Sequence, residues 1–401
     1  MKKIMIVGAG IEHMIAIRQA KEMGYKTFVI DGNPQAPGFA IADEHAVVST
    51  YDYLNAFKQG HGRGVNGVMT VASDVPYTVA MVSKLLGLRG ISPRTAWILS
   101  NKLNMKQVLK RNNVPVPDFM EINAVDDIER FMAVYSEAVV KPVDSRGARG
   151  VQKIFVGMDY GKALYVAEKN SPTGKAMIEQ YIEGPQLSVE GFMVAGYLQL
   201  PAIFDRNYEH LHRFHPYIVE NGGEMPSKYD YEEIRIVTQN AALTVGLTTG
   251  PIKGDLVLEP NRIKTLNPIV KVIEIAGRMS GGWFGTVAVP YATGVNLVKN
   301  NIKWVMEGNM ERADWLRTEN RGAAIRFAFP DEGKVLSVKG YSEVTKDPSC
   351  LYAGMFTKRG GQVSAIENHP ARPAVVVAGG KDREEAKANA ERLIGMIKIK
   401  T

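Results

Sequence analysis

The sequence predicts a multidomain protein of mixed α/β and α+β class that begins with an open, doubly wound parallel sheet. Three observations carry this expectation. A short apolar run, Lys3-Ile4-Met5-Ile6-Val7-Gly8, is followed by a helical stretch and a second run, Lys26-Thr27-Phe28-Val29-Ile30-Asp31. Strand-like runs then dominate from about residue 117 to about 200. The tail joins Ala374-Val375-Val376-Val377-Ala378-Gly379-Gly380 to an amphipathic stretch. A chain of 401 residues has room for two or three domains.

Each element follows from local chemistry. Lys3–Gly8 is continuously apolar rather than alternating, the pattern of a parallel strand buried on both faces. Ile11, Met14, Ile15, Ile17, Ala20 and Met23 fall near helical spacing, and Gly24 stops them. With Lys26–Asp31 this forms a βαβ unit, right-handed by the crossover rule. Gly67–Val71 reads as a later strand of the same sheet. A polar helix is expected near Asn101–Asn113, broken by Asn112-Asn113-Val114-Pro115-Val116-Pro117. Further strands are expected at Ala138–Pro142, Ala176–Glu179, Leu187–Phe192 and Val270–Ile275, and a helix at 232–246. The last of these strands runs into a Gly-rich turn from Gly277 to Gly285. In the final helix Ala386, Ala390, Leu393, Ile394 and Ile397 share one face, and Asp382 with Glu385 caps the start.

Composition removes several classes. With 45% hydrophobic and 23% charged residues the chain is neither disordered, collagen-like nor a coiled coil. It has no apolar run of about 18 residues, so no membrane span is expected. The run after Lys2-Lys3 is too short for a signal-peptide core. A single cysteine, Cys350, excludes an intramolecular disulfide framework and a cysteine-rich metal centre, and it predicts a reducing, cytoplasmic compartment. The formal net charge of +7 suits either a solvated surface or an anionic ligand. There is no dense Lys/Arg run and no nucleic-acid motif, so the expected anion is a small molecule.

Several segments could carry chemistry. Gly8-Ala9-Gly10 with Asp31 resembles the start of a dinucleotide fingerprint, but the third small residue is replaced by His13. A tight turn in a doubly wound domain is the plainer reading. Lys141 ends a strand and is followed by Ser145, Arg146, Gly147, Ala148, Arg149 and Gly150. Such a loop closes over phosphates with backbone N–H groups while Lys and Arg supply positive charge; the alternative is a mobile basic hairpin. No G-K-[ST] follows, so it is not a Walker loop. The extended segment Glu179-Gln180-Tyr181-Ile182 could offer its backbone to an adenine edge.

Asp255 and Glu274 are expected on adjacent strands of a hairpin, where two carboxylates hold Mg²⁺ once phosphates supply the other ligands. Arg278, just past the strand, is placed to hold a phosphate oxygen bidentately. The alternative is a cross-strand pair of solvated acids. His210, His212 and His215 form either a metal cluster or a polar substrate-facing loop. Trp97, Trp283, Trp304 and Trp315 are expected in core packing or as loop anchors.

Taken in order, these segments resemble the ATP-grasp superfamily over nearly the whole chain. Asp31-Gly32-Asn33-Pro34, Ala36-Pro37-Gly38 and Ala42-Asp43 look like the pre-ATP-grasp domain of its carbamoyl-phosphate synthetase-like branch. Asn101-Lys102-Leu103-Asn104-Met105 looks like the family's N-K-x-x-M helix, which implies that Lys102 contacts ATP phosphate. Lys141 and the loop to Gly150 match the phosphate-covering lysine and glycine loop, and Glu179–Ile182 matches the adenine hinge. Asp255 and Glu274 match the Mg²⁺ carboxylates, and Arg278 matches the arginine beside the transferred phosphoryl group. The stretch Phe214–Ser227 is similar to one that borders the acceptor pocket in L-amino-acid ligases. Two positions depart from the pattern. Gln186 stands where the family has a ribose-binding Glu, and the metal strand E-x-N here reads Glu274-Ile275-Ala276. A second Mg²⁺ thereby lacks an oxygen ligand unless Asn267 or water provides one.

The resemblance implies an N-terminal pre-ATP-grasp domain (1–95), a two-lobed nucleotide-binding region (96–320, with its smaller lobe at about 115–185) and a small C-terminal domain (321–401). It implies an ATP-dependent ligase that activates a carboxylate as an acyl phosphate and couples it to an amine, with ATP and Mg²⁺. Lys141, Arg149 and Arg278 are its expected catalytic residues. Lys102, Lys141, Ser145, Gly147, Gly150, Glu179, Gln180, Tyr181, Ile182 and Gln186 are its expected nucleotide contacts, and Asp255 and Glu274 its metal ligands. Small-molecule carboxylates and amines are the expected partners, with neither nucleic acid nor membrane, in a homodimer. The alternatives are a purine-pathway enzyme acting on a phosphoribosyl substrate and an ATP-binding protein with impaired catalysis.

Overall fold

The computed structural model describes residues 1–229, 232–261 and 267–401. The chain opens with a four-stranded parallel sheet. Lys3–Val7 lies at its centre between Lys26–Asp31 and Gly67–Met69, with Glu44–Val47 on the outer edge. Ile4 and Ile6 pack toward the helix His13–Glu22, while Met5 and Val7 pack with Ala56 and Val82 of the helices Tyr53–Gly62 and Pro76–Leu85. Both faces are covered, which is why the run is continuously apolar. The edge strand Glu44–Val47 is half polar, with alternate residues exposed, and no sequence pattern announced it.

The smaller lobe is a four-stranded antiparallel sheet in the order Phe119–Ile122, Ala176–Gln180, Glu137–Pro142, Gln152–Phe155. Helices Val125–Met132 and Tyr160–Lys169 bury Ile128, Phe131, Ala163 and Leu164 against it. The Lys141 loop is thus the turn of an antiparallel hairpin, Glu137–Pro142 against Gln152–Phe155.

An eight-stranded antiparallel sheet forms the body. It runs from the edge strand Ile269–Ala276 through Gly250–Glu259, Gln186–Val194 and Tyr197–Arg206 to the short strand Gly223–Met225. The sheet continues through Gly322–Phe327 and Ala374–Gly380 to Cys350–Met355. Gly223–Met225 is the bridge, pairing with Asp205 and Arg206 on one side and Ala323–Ile325 on the other. The tail therefore extends the central sheet rather than standing beside it. Helix Arg383–Met396 buries Ala386, Ala390 and Leu393 on this extension. Its N-cap is as expected, with Asp382 accepting from the Glu385 N–H at 2.9 Å.

Candidate active site

The three sheets surround one cavity of about 680 Å³. Glu12 and Asp74 reach it from loops that follow the parallel strands and Asp31 from the carboxyl end of its own strand, the usual position for ligand sites in open α/β sheets. The smaller lobe supplies Lys141 and the loop Ser145–Arg149. The body supplies Asp255, Glu274 and Arg278, and the tail supplies His369 and Arg372. Residues expected to bind nucleotide and metal, from Lys102 to Arg278, converge on this cavity. The exception is Gly150. It is a packing residue with φ of 71°, where an added Cβ would lie 2.8 Å from Asn170.

Local chemistry places each group. Asn101 caps helix Lys102–Arg111 by accepting from the Asn104 N–H at 2.9 Å. This cap fixes Lys102 at the cavity edge, where its Nζ donates to the Ser145 carbonyl at 2.6 Å and stands 3.6 Å from Glu274. Gly147 and Ala148 both take positive φ, 61° and 58°. For Ala148 that conformation costs about 1 kcal/mol. The two residues make a tight turn at the cavity wall. The Arg146 guanidinium lies 4.5 Å over the Tyr51 ring.

Beneath the loop is a buried charge cluster. The Glu179 carboxylate meets the Lys141 ammonium and, at 2.8 Å, the fully buried Lys106 ammonium. Burial opposes charge on Glu179, yet Lys106 and Lys141 outweigh it and hold the carboxyl below its ordinary value. Burial lowers Lys106 to about 8. The Glu179 side chain is thus committed to lysines, and its backbone lies within the sheet, paired with Phe119 and Val139.

Asp255 and Glu274 are direct cross-strand partners, with a bulge immediately after Asp255. Burial would raise Glu274, but Lys102, Lys253, Arg278 and Lys141 surround it and bring it to about 2. It is ionised at any physiological pH. Two carboxylates side by side at a cavity wall, with room for phosphate oxygens, fit a Mg²⁺ site of the carboxylate-plus-phosphate kind. Arg278 is anchored by the Met279 carbonyl at 3.0 Å and by Asp74 at 3.4 Å.

Some expectations need correction. His210, His212 and His215 do not line the cavity, and the described residues contain no group of three or more His, Cys, Asp or Glu arranged to hold a metal. The cavity-facing residues of that loop are Arg206, Tyr208, Ile218 and Glu220. Asn267 is exposed near the hairpin turn and is no substitute ligand. Trp97 is 54% exposed and packs no core. Trp283 lines the cavity, stacked on Tyr352 at 4.8 Å.

Sequence reasoning also missed Glu12. It accepts from the N–H groups of Gly282 and Trp283 at 3.0 Å each and from the Thr286 hydroxyl at 2.8 Å, pinning the first sheet to the Gly-rich turn. Burial raises its carboxyl to about 7. No local pattern links residues so distant in sequence.

Comparison with known proteins bears on the fold. Residues 134–287 match the ATP-grasp domain family, and residues 326–401 match the family described as L-amino acid ligase C-terminal domain 2. The chain carries an ATP-grasp domain. Its fold is similar to that of L-amino acid ligase from Bacillus licheniformis, with a TM-score of 0.83 at 19% identity, covering 100% of this chain and 98% of that one. A second ATP-grasp structure, the 2-oxoglutarate carboxylase biotin carboxylase domain dimer of Hydrogenobacter thermophilus in complex with MgADP, ADP and bicarbonate, aligns with a TM-score of 0.76 at 16% identity, over 100% and 90% of the two chains. Carbamoyl phosphate synthase large chain from Clostridium acetobutylicum is 21% identical over 92% of this chain, which spans only 34% of that protein. Among the described residues no helix is long and apolar enough to cross a membrane.

Proposed function

We propose that the protein activates a small-molecule carboxylate as an acyl phosphate at the expense of ATP and transfers the acyl group to an amine. One observation carries this reading. Lys102, Lys141, Asp255 and Glu274 from four separate elements, and Arg278 from the turn after the last of them, line one cavity together with a glycine loop.

In this reading Asp255 and Glu274 would hold Mg²⁺, which when bound neutralises phosphate charge. Glu179, Gln180, Tyr181 and Ile182 border the base, and Gln186 hydrogen-bonds the ribose. Lys102, Lys141 and Arg278, with Arg149 from the loop, stabilise the negative charge of the γ-phosphoryl group. Phosphoryl transfer needs positioning and charge neutralisation more than covalent help from the protein. The substrate carboxylate oxygen attacks the γ-phosphorus in line, and the bond to the ADP oxygen breaks. The amine nitrogen then attacks the acyl carbon, phosphate departs with the bonding pair, and the amine loses a proton. Ser145, Gly147 and Ala148 shield the acyl phosphate from water when the loop is closed. Lys141 serves only if it exchanges Glu179 for phosphate, which leaves Glu179 to Lys106.

The proposal treats 1–95, 96–320 and 321–401 as working units, the enzyme as a cytoplasmic homodimer, and the metal as Mg²⁺. The single cysteine supports the compartment, and the likeness to a domain dimer solved with MgADP supports the dimer and the metal. The test is ADP release from purified protein with Mg·ATP, across amino acids, other carboxylates and ribosyl phosphates, singly and in pairs. Release that requires a carboxylate and an amine together is expected. Release with a phosphoribosylamine alone as acceptor would move the enzyme to the purine-pathway reading. ATP binding with no release for any pair would favour a protein that binds without catalysing.

A further inference from the structure

Lys253 stands opposite Ala276 in the hairpin that carries the two carboxylates. Residues two apart on a strand share a face, so its side chain lies beside Asp255. Its buried ammonium hydrogen-bonds Asp255 Oδ2. Arg206 reaches the same oxygen at 3.2 Å. Asp255 therefore already faces two fixed cations, and Glu274 faces Lys102. Ala276 offers no donor atom at the position across from the lysine.

We propose that this site takes one divalent cation with its nucleotide, not two, and that the Lys253 ammonium supplies the second positive charge through Asp255. This rests on the nucleotide reading above and deepens it. A divalent ion such as Mg²⁺ demands near-octahedral oxygen ligands at about 2.0–2.1 Å, and the pair Lys253 and Ala276 provides none. A lysine ammonium is a compact point charge that needs only a neighbouring acceptor, and Asp255 is that acceptor. The departure at Ala276 and the lysine opposite it are then one compensated change rather than damage to the site.

The test uses Mn²⁺ as the probe metal and a non-hydrolysable ATP analogue, read by electron paramagnetic resonance and by metal titration. Two ions in such sites lie about 3.5–4 Å apart, close enough for their spins to couple. The unmodified protein should bind one Mn²⁺ per nucleotide with an uncoupled spectrum. The double variant Lys253→Met/Ala276→Asn should take up a second ion and show coupling. Two coupled ions in the unmodified protein would overturn the proposal, whatever the fate of the variant. Analogue binding with no Mn²⁺ uptake would overturn it as well. Failure to bind the analogue at all would instead remove the nucleotide reading beneath it.

Discussion

The backbone N–H of His369 donates to the Gly147 carbonyl at 3.0 Å. Pro370 stands against the same glycine, close enough that an added Cβ would lie 3.1 Å from its ring. The tail of the chain thus holds the loop that faces the cavity, from outside the smaller lobe. His369 in turn is met by the Glu220 N–H at 3.5 Å, so the loop that carries Glu220 and the glycine loop share one support.

His369→Pro removes that donor while suiting the first position of the short helical turn it begins. One hydrogen bond contributes about 1 kcal/mol, so loop opening should become roughly fivefold more frequent. Trypsin cleavage after Arg146 and Arg149 reports it. An unchanged cleavage rate would mean that the contact does not restrain the loop.

Glu179→Gln leaves the Lys106 and Lys141 ammonium groups facing each other without their shared carboxylate. Breaking a buried charge network in this way costs about 3–5 kcal/mol. The denaturation midpoint should fall accordingly, and Lys106→Met in the same chain should recover part of the loss. A midpoint within error of the parent would show that the lysines lose charge rather than suffer repulsion.

Glu274→Ala should abolish Mg²⁺-dependent ADP release while circular dichroism remains that of the parent. Undiminished ADP production would refute the metal role given to Glu274.

Arg278→Lys keeps the charge but loses the planar fork that meets Asp74 and the Met279 carbonyl together. Turnover should drop at least tenfold, with thermal stability less affected. If the rate matches the parent, Arg278 is no more than an anchor for its turn.

Glu190 is fully buried on the strand between Ser188 and Phe192, and burial raises its carboxyl from 4.5 to about 7. The folded state therefore binds a proton that the unfolded state has released between those two values. Its contribution to stability is complete below pH 4.5 and is lost as the pH rises through 7. Glu190→Gln should leave stability near pH 4.5 almost unchanged and raise it at pH 8 by about 2–3 kcal/mol. A gain of equal size at both values would point to packing rather than ionisation.

Much of this architecture was legible because its causes are local. The parallel strand Lys3–Val7 declares itself by four consecutive buried apolar side chains. The hairpin placing Asp255 opposite Glu274 follows from two apolar runs and the distance between them. The Gly-rich loop and the Asn101 cap are read from residue types at fixed spacing. By contrast, Glu44–Val47 pairs at a sheet edge with half its surface wet, so its sequence has no need to be apolar.

The amino-acid sequence by itself determined most of the strands and helices, the resemblance to ATP-grasp proteins, and which polar residues could gather around one cavity. These depend on periodicity, turn chemistry and motif spacing, all of which act within a few residues. Only the tertiary structure decided that Glu12 clamps the Gly-rich turn, that Glu179 is held between Lys106 and Lys141, and that Lys253 rather than a second oxygen ligand stands beside Asp255. Each is a contact between charged or polar groups brought together by burial. In a low-dielectric interior a charge must find its partner wherever the fold places one.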